Sequence, residues 1–271
     1  ASLPVTAMLL SLPFRSRTSR VHVGAAAQAQ AVDEADGVPM PRRLAAVASI
    51  LGAGILVVLD GAIANVALPS IAQQLRATPA DTVWIITAYQ LAVVMSLLPA
   101  SAVGARLGFR RVFCAGVALF TLASALCALS PSLPWLVAAR CLQGLGAAAV
   151  MPLGLALLRF AYPRHLLARA IGWNALAVAG ATAAGPAVGA FILSTASWPW
   201  LFAVNVPIGV LVLAACSQLP RPARSEDRID CWSIALNAML FAAFVFGCDR
   251  LASDPWQGPA LLGVSGACMV L

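Results

Sequence analysis

The feature that most constrains this chain is a series of apolar runs, repeated along its length and separated by short loops that carry arginine. The runs fall at about residues 44–69, 83–103, 112–130, 133–158, 168–193, 201–219 and 231–248, and an eighth starts near Pro259 and continues to Leu271. A helix rising about 1.5 Å per residue needs about 20 such residues to cross about 30 Å of hydrocarbon. Each complete run approaches that length. Of the 271 residues, 61% are hydrophobic and 10% charged, more apolar surface than a soluble core of this size requires. Strands of a membrane barrel would alternate apolar and polar residues, and these runs do not. The chain is therefore expected to be an all-α, multi-pass membrane protein whose first partner is the lipid bilayer.

The loops suggest an orientation. All 17 basic residues are arginine, and the formal net charge is +7. The arginines sit mostly in loops between apolar runs, so a nucleic-acid partner is not expected. With the N-terminus in the cytoplasm, the inner face would hold Arg42, Arg43, Arg106, Arg110, Arg111, Arg159, Arg164, Arg169, Arg221, Arg224 and Arg228. The outer face would hold only Arg76 and Arg250. That asymmetry is a positive-inside bias. Trp84, Trp135, Trp198, Trp200 and Trp256 fall at the expected outer ends, where anchoring at the membrane interface is the simplest role.

Residues 1–42 differ from the rest. They are Ser- and Arg-rich at first, then read "GAAAQAQAVDEADGVPMP". A flexible cytoplasmic tail is expected, or an upstream extension with Met40 as a candidate start. The seven cysteines are scattered, with no CxxC pair, and His22 and His165 lie apart and outside the runs. Neither metal chemistry nor an enzyme built on a nucleophile and its base is expected from that distribution.

One acid stands inside the runs. "LVVLDGAIANVALPSI" places Asp60 deep in the first span, with no other charged residue between Arg43 and Arg76. A carboxylate facing lipid is costly, whereas a paired or water-facing one is tolerated. Asp60 lies about 24 Å from the inner end of its span, and Arg140 lies about 11 Å from the outer end of the fourth span. The two charges therefore share a depth. Burial and a neighbouring cation shift a carboxyl in opposite directions, which makes such a group suited to exchanging a proton. A purely structural ion pair is the competing reading.

Small residues cluster in two other spans. "ARCLQGLGAAAVMP" carries Gly144 and Gly146 for close helix packing, with Gln143 one turn beyond Arg140 and able to bond across helices. "AGATAAGPAVGAFI" carries Gly180, Gly185, Pro186 and Gly189, a packing kink or a hinge that seals a pathway. "SAVGARLGFRR" joins the second and third spans, with Gly104 and Gly108 for a tight turn and Arg106, Arg110 and Arg111 at the inner face.

Over about residues 44–250 these segments resemble the major facilitator superfamily, and more closely its fourteen-span drug:proton antiporter branch. "LDGAIANVALPSI" is similar to the span 1 signature through Asp60, Asn65, Ala67, Leu68 and Pro69, with Ala62 in place of the usual Thr. "VWIITAYQLA" resembles the opening of span 2, and "RCLQGLGAA" the span 4 motif with Arg140, Gln143, Gly144 and Gly146. "GPAVGA" resembles the antiporter motif of span 5 through Gly185, Pro186 and Gly189, with Ala190 in place of a second Gly. "WPWLFAVNVPIG" resembles the start of span 6, with Pro199 where Arg is usual. In the loop between spans 2 and 3, Gly108, Arg110 and Arg111 fit the pattern, but Ser101 and Ala105 replace its leading Gly and its acid. That acid normally helps to latch the inner gate.

The resemblance implies a six-helix N-terminal half over residues 44–219, built as a 3+3 inverted repeat. A cytoplasmic loop over 220–230 would follow, then an extra span and the start of the next over 231–271. It implies proton-coupled efflux of lipophilic or cationic drugs across a bacterial inner membrane. Asp60, Arg140 and Gln143 would couple proton and substrate, Gly185, Pro186 and Gly189 would form the antiporter kink, and Gly108, Arg110 and Arg111 the cytoplasmic gate. No cofactor is implied, since the proton gradient supplies the energy. The partners would be the bilayer, a small-molecule substrate and a C-terminal half needed for transport, in a monomer. The alternative is a truncated, non-transporting membrane protein or partner subunit.

Overall fold

The computed structural model describes residues 40–220 and, beyond them, Pro222, Leu236, Met239, Leu240 and Ala243. The side chains of Met40, Pro41 and Arg164 are outside that description. Most of the expected tail, most of the loop over 220–230, most of the seventh span and all of the run after Pro259 lie outside the described residues.

Among the described residues, seven helices make six spans. They are α1 (Met40–Leu75), α2 (Pro79–Leu107), α3 (Phe109–Ala128), α4 (Leu133–Ala161), α5 (Arg164–Thr195), and the pair α6 (Pro199–Ala203) and α7 (Asn205–Ala215), which a 3-10 turn over Cys216–Gln218 extends. Among the described residues, six stretches are long and apolar enough to cross a membrane. The helices overrun the apolar runs because polar end residues still complete hydrogen-bonded turns. Asp81, outside the expected second span, lies in the first turn of α2. There Thr78 caps the helix: its Oγ1 accepts from the Asp81 N–H at 3.2 Å and donates to the Asp81 carboxylate at 2.6 Å, with Pro79 following it. His165 likewise belongs to α5 and not to a loop.

The turns are short. α1 closes with Arg76 at φ 50°, and the Ala77 N–H bonds the Ala72 carbonyl at 3.0 Å. Gly108 alone separates α2 from α3, at φ 105°, where a side chain would be strained. Gly104, expected to share that turn, instead lies within α2, where a Cβ would run into the Leu153 side chain of α4.

Contacts follow a repeat. α1 packs on α5 as α4 packs on α2, and α3 packs on α4 as α6–α7 packs on α1. Exchanging spans 1, 2 and 3 with 4, 5 and 6 maps this pattern onto itself, as two inverted three-helix units would. The burial is uneven. In their most apolar windows α4 is 61% buried, but α2 and α5 are only 17% buried, so two long helices present most of their surface outward.

Helix packing in lipid relies on close approach of small residues. α4 supplies this on two sides: a Cβ on Gly144 would sit 2.6 Å from the Tyr89 carbonyl oxygen of α2, and one on Gly146 would sit 2.6 Å from the Phe120 nitrogen of α3. Two apolar clusters result. One gathers Ile50, Leu56, Phe113, Phe120, Leu153 and Leu157. The other gathers Ile63, Ile71, Ile85, Leu136, Leu201 and Phe202.

Trp198 belongs to the second cluster, only 3% exposed and edge-on to Phe202 at 6.3 Å. It is a core residue, which corrects the anchoring role expected for it. Trp135 and Trp200 are exposed, as that role requires, and Trp256 lies outside the described residues. The first cluster lies toward the arginine-rich end, where Arg42 donates to Gln218 at 3.3 Å and Arg43 lies 5.9 Å from the Tyr162 ring centre.

Candidate functional site

A polar layer separates the two clusters. It is assembled from α1, α3, α4 and α7, and its members Asp60, Ser124, Arg140, Gln143 and Asn205 are all buried. Arg140 donates from Nη1 to Asp60 Oδ2 at 2.6 Å and to Gln143 Oε1 at 2.7 Å. Its Nε reaches the Ile85 carbonyl at 3.4 Å. Gln143 Nε2 donates to Asp60 Oδ1 at 2.9 Å and to Ser124 Oγ at 2.8 Å. Asn205 Nδ2 completes the set by donating to Asp60 Oδ1 at 2.7 Å.

The arrangement answers the cost of burying charge. Asp60, 1% exposed, accepts from three side chains, one of them a cation, so its charge is matched and both oxygens are engaged. Arg140, 0% exposed, lies over the Tyr89 ring at 4.1 Å and over Phe202 at 5.6 Å from the ring centres. Aromatic faces are favourable surroundings for a desolvated guanidinium. Its Nη2 has no hydrogen-bond partner among the described residues. The competing charges cancel inside one layer, which is what lets a carboxylate sit at this depth.

The structure thus brings together Asp60, Arg140 and Gln143, as their depths and spacing suggested. The antiporter-motif residues stand on the other flank of α1. A Cβ on Gly185 would collide with that of Ala62, and one on Gly189 would lie 3.4 Å from the Val66 side chain. Pro186 is exposed, and α5 runs unbroken through it. Gly108, Arg110 and Arg111 are not part of the polar layer. They line a cavity of about 560 Å³ at the arginine-rich end, together with Leu107, Phe109, Cys114 and Pro222. A second cavity, of about 370 Å³, is apolar and lies along α1 and α5 beside Trp173. Neither is lined by a member of the polar layer.

Sequence reasoning missed Asn205, Ser124, Tyr89 and Phe202. Asn205 had a usable signal. It is a lone amide inside "FAVNVPIG", within one residue of the depth at which Arg140 lies along α4, each counted from the start of its span. The two aromatic residues had none, since nothing in an apolar run marks which ring will face a cation.

The chain is similar to known transporters. It is 43% identical, over 241 residues, to the uncharacterized transporter YebQ of Escherichia coli (strain K12), a match covering 88% of this chain and 52% of that protein. It is 35% identical to the tetracenomycin C resistance and export protein of Streptomyces glaucescens, over 86% of this chain and 43% of that one. The chain thus spans about half the length of these curated relatives. The fold is also that of a solved D-xylose–proton symporter, at a TM-score of 0.55 and 14% identity, covering 84% of this chain and 66% of that one. The model of the Major Facilitator Superfamily matches residues 50–269. With six apolar spans among the described residues, a contact pattern of two inverted units and a family match over most of its length, this chain is a multi-pass membrane protein that belongs to the Major Facilitator Superfamily.

Proposed function

We propose that the complete protein exports lipophilic or cationic drugs and toxic compounds in exchange for protons across a bacterial inner membrane. This chain supplies the N-terminal half of the pathway, with its N-terminus in the cytoplasm. The observation that carries this reading is the buried Asp60 carboxylate, held by Arg140, Gln143 and Asn205 at the junction of four helices. An acid at membrane depth that is paired and not exposed to lipid suits a proton-coupling site. Export of a drug is supported by the name of the Streptomyces relative. The outward surfaces of α2 and α5 are where a second half would pack, and the protein works as a monomer once that half is present. The energy comes from the proton gradient, with no cofactor.

The roles divide by position. Asp60 carries the proton, and Arg140 and Gln143 set when it is released. Gly185, Pro186 and Gly189 keep α5 close against α1 and seal the pathway. Gly108, Arg110 and Arg111 form the inner turn that opens and closes. The test uses everted vesicles containing the complete protein, with ethidium as the transported probe and a pH-sensitive dye as the readout. Asp60→Asn keeps the size and much of the hydrogen bonding and removes the titrating charge. It should abolish ethidium-driven proton movement at wild-type protein levels, and Asp60→Glu should restore part of it. Normal exchange by Asp60→Asn would leave Asp60 as a structural group only.

A further inference from the structure

A second group of reactive side chains lies at the arginine-rich end, away from the polar layer. Cys114 stands near the start of α3, and Cys216 begins the 3-10 turn that extends α7. Their spans, the third and the sixth, hold equivalent places in the two inverted units. The two thiols face each other within hydrogen-bonding reach. Ser49 Oγ of α1 lies 3.3 Å from Cys216 Sγ and holds that sulfur in place. Both cysteines are free thiols. Cys127 and Cys141 differ, since their sulfurs turn to Gln143 and to the Ala88 carbonyl.

The two sulfurs of the pair differ in access. Cys216 is only 3% exposed. Cys114 is half-buried and lines the cavity of about 560 Å³, together with Arg110 and Arg111. Arg110 reaches the Cys114 thiol as well. The other lining residues are Leu107, Gly108, Phe109 and Pro222, so the described lining contains two cations and no acid. Cysteines that react sit in partly exposed, electropositive places of this kind, whereas structural ones are buried and inert. A reagent in the cavity meets one sulfur, the positive charge favours an anion, and the second sulfur is directly behind the first.

We propose that Cys114 is a modification site for small anionic disulfides, and that Cys216 resolves the product into an internal disulfide. Cys114, its proton given to water, attacks one sulfur of the reagent. The reagent's S–S bond breaks, and one small thiolate leaves and takes up a proton. A mixed disulfide remains on Cys114, with its anionic part in the arginine-lined cavity. Cys216 then loses its proton and attacks the Cys114 sulfur, which releases the second small thiol. Two electrons pass from the cysteine pair to the reagent, and the two protons end on the released thiols. The new bond, about 2.05 Å long, ties the third span to the sixth, and so one three-helix unit to the other, beside the turn between α2 and α3. None of these steps depends on proton coupling at Asp60.

The test uses the complete protein, purified in detergent so that either face is open to reagent. It is reduced, freed of reductant and incubated with oxidised glutathione. Remaining thiols are blocked with N-ethylmaleimide, and peptides are read by mass spectrometry without reduction. Wild type should give a peptide pair joined through Cys114 and Cys216. Cys216→Ser should instead keep glutathione on Cys114, and Cys114→Ser should leave Cys216 without glutathione. Uncharged 2-hydroxyethyl disulfide should react with Cys114 at least about tenfold more slowly, the low end of electrostatic steering, each rate being taken relative to that with free N-acetylcysteine. No transport is measured, so the result is separate from that of the exporter reading. Absence of the joined pair in wild type, an unmodified Cys114 in Cys216→Ser, or equal relative rates for the two reagents would overturn the proposal. Should a serine variant fail to insert, the wild-type peptide pair and the two rates still decide.

Discussion

Arginine appears in this molecule in two settings that differ in every physical respect. At the centre, Arg140 is fully buried, bonded to Asp60, Gln143 and a backbone carbonyl, and held between Tyr89 and Phe202. At the arginine-rich end, Arg106 and Arg111 are exposed and Arg110 is half-buried beside a cavity. The described residues contain only two acids, Asp60 and Asp81, and neither is near that end. One cation is thus matched to one anion where water is excluded, and the others remain where water and lipid headgroups solvate them. The same side chain sets topology at the rim and a chemical site at the centre, and the difference lies in whether a carboxylate has been placed at its depth.

The largest effect should come from breaking the central pair on one side. Arg140→Leu leaves Asp60 as a buried anion with two amide donors and no cation, at a cost of about 3–5 kcal/mol. Adding Asp60→Asn removes the stranded charge, so the double variant should be markedly more stable than Arg140→Leu alone. Thermal stability of the complete protein in detergent would measure both. If the double variant were the less stable of the two, the pair would not be the unit that the geometry describes.

Much of this layer was legible before any coordinates. Depth along two antiparallel spans placed Asp60 level with Arg140, and helical spacing put Gln143 one turn on, able to bond across helices; that it meets the same acid is seen only in the structure. The alternation of arginine-rich and arginine-poor loops suggested an orientation, which remains part of the proposal. What was not legible depended on azimuth, the direction in which a residue points around its helix. Trp198 and Trp200 are two residues apart at the same end, yet the first is core and the second is 60% exposed. Gly104 looked like part of a turn and is a contact for Leu153. Hydropathy within a membrane span is nearly uniform, so the amphipathic signal that gives azimuth in a soluble helix is missing. Asn205 escaped for the same reason: its depth was available, and its facing was not.

A middle-sized effect should come from the flank between centre and rim, where α5 meets α1. Gly185 leaves no room for a Cβ against Ala62. Overpacking a close contact costs about 1–3 kcal/mol, less than stranding a charge. Gly185→Leu in the complete protein should therefore insert and accumulate, yet lose tight coupling between ethidium movement and proton movement in vesicles. Coupling at the wild-type ratio would make the residue a spacer.

The smallest effect should come from the rim, and it sharpens the contrast most directly. Arg111 is exposed, and no described acid is its partner, so Arg111→Gln removes a solvated charge and little else. The stability change should be under about 0.5 kcal/mol, within the range of ordinary surface substitutions. Orientation should also hold, because Arg42, Arg43, Arg106, Arg110, Arg159, Arg164 and Arg169 keep the same end basic. A cysteine at exposed Ser132, between α3 and α4, reports it. In Arg111→Gln/Ser132→Cys an impermeant maleimide added outside intact cells should label the new thiol as fully as in Ser132→Cys alone, with the parent protein as the blank. Labelling only after the cells are opened would invert the proposed topology. A loss of stability as large as that of Arg140→Leu would show that a rim arginine has a buried partner after all, and the division between one paired cation and many solvated ones would fail.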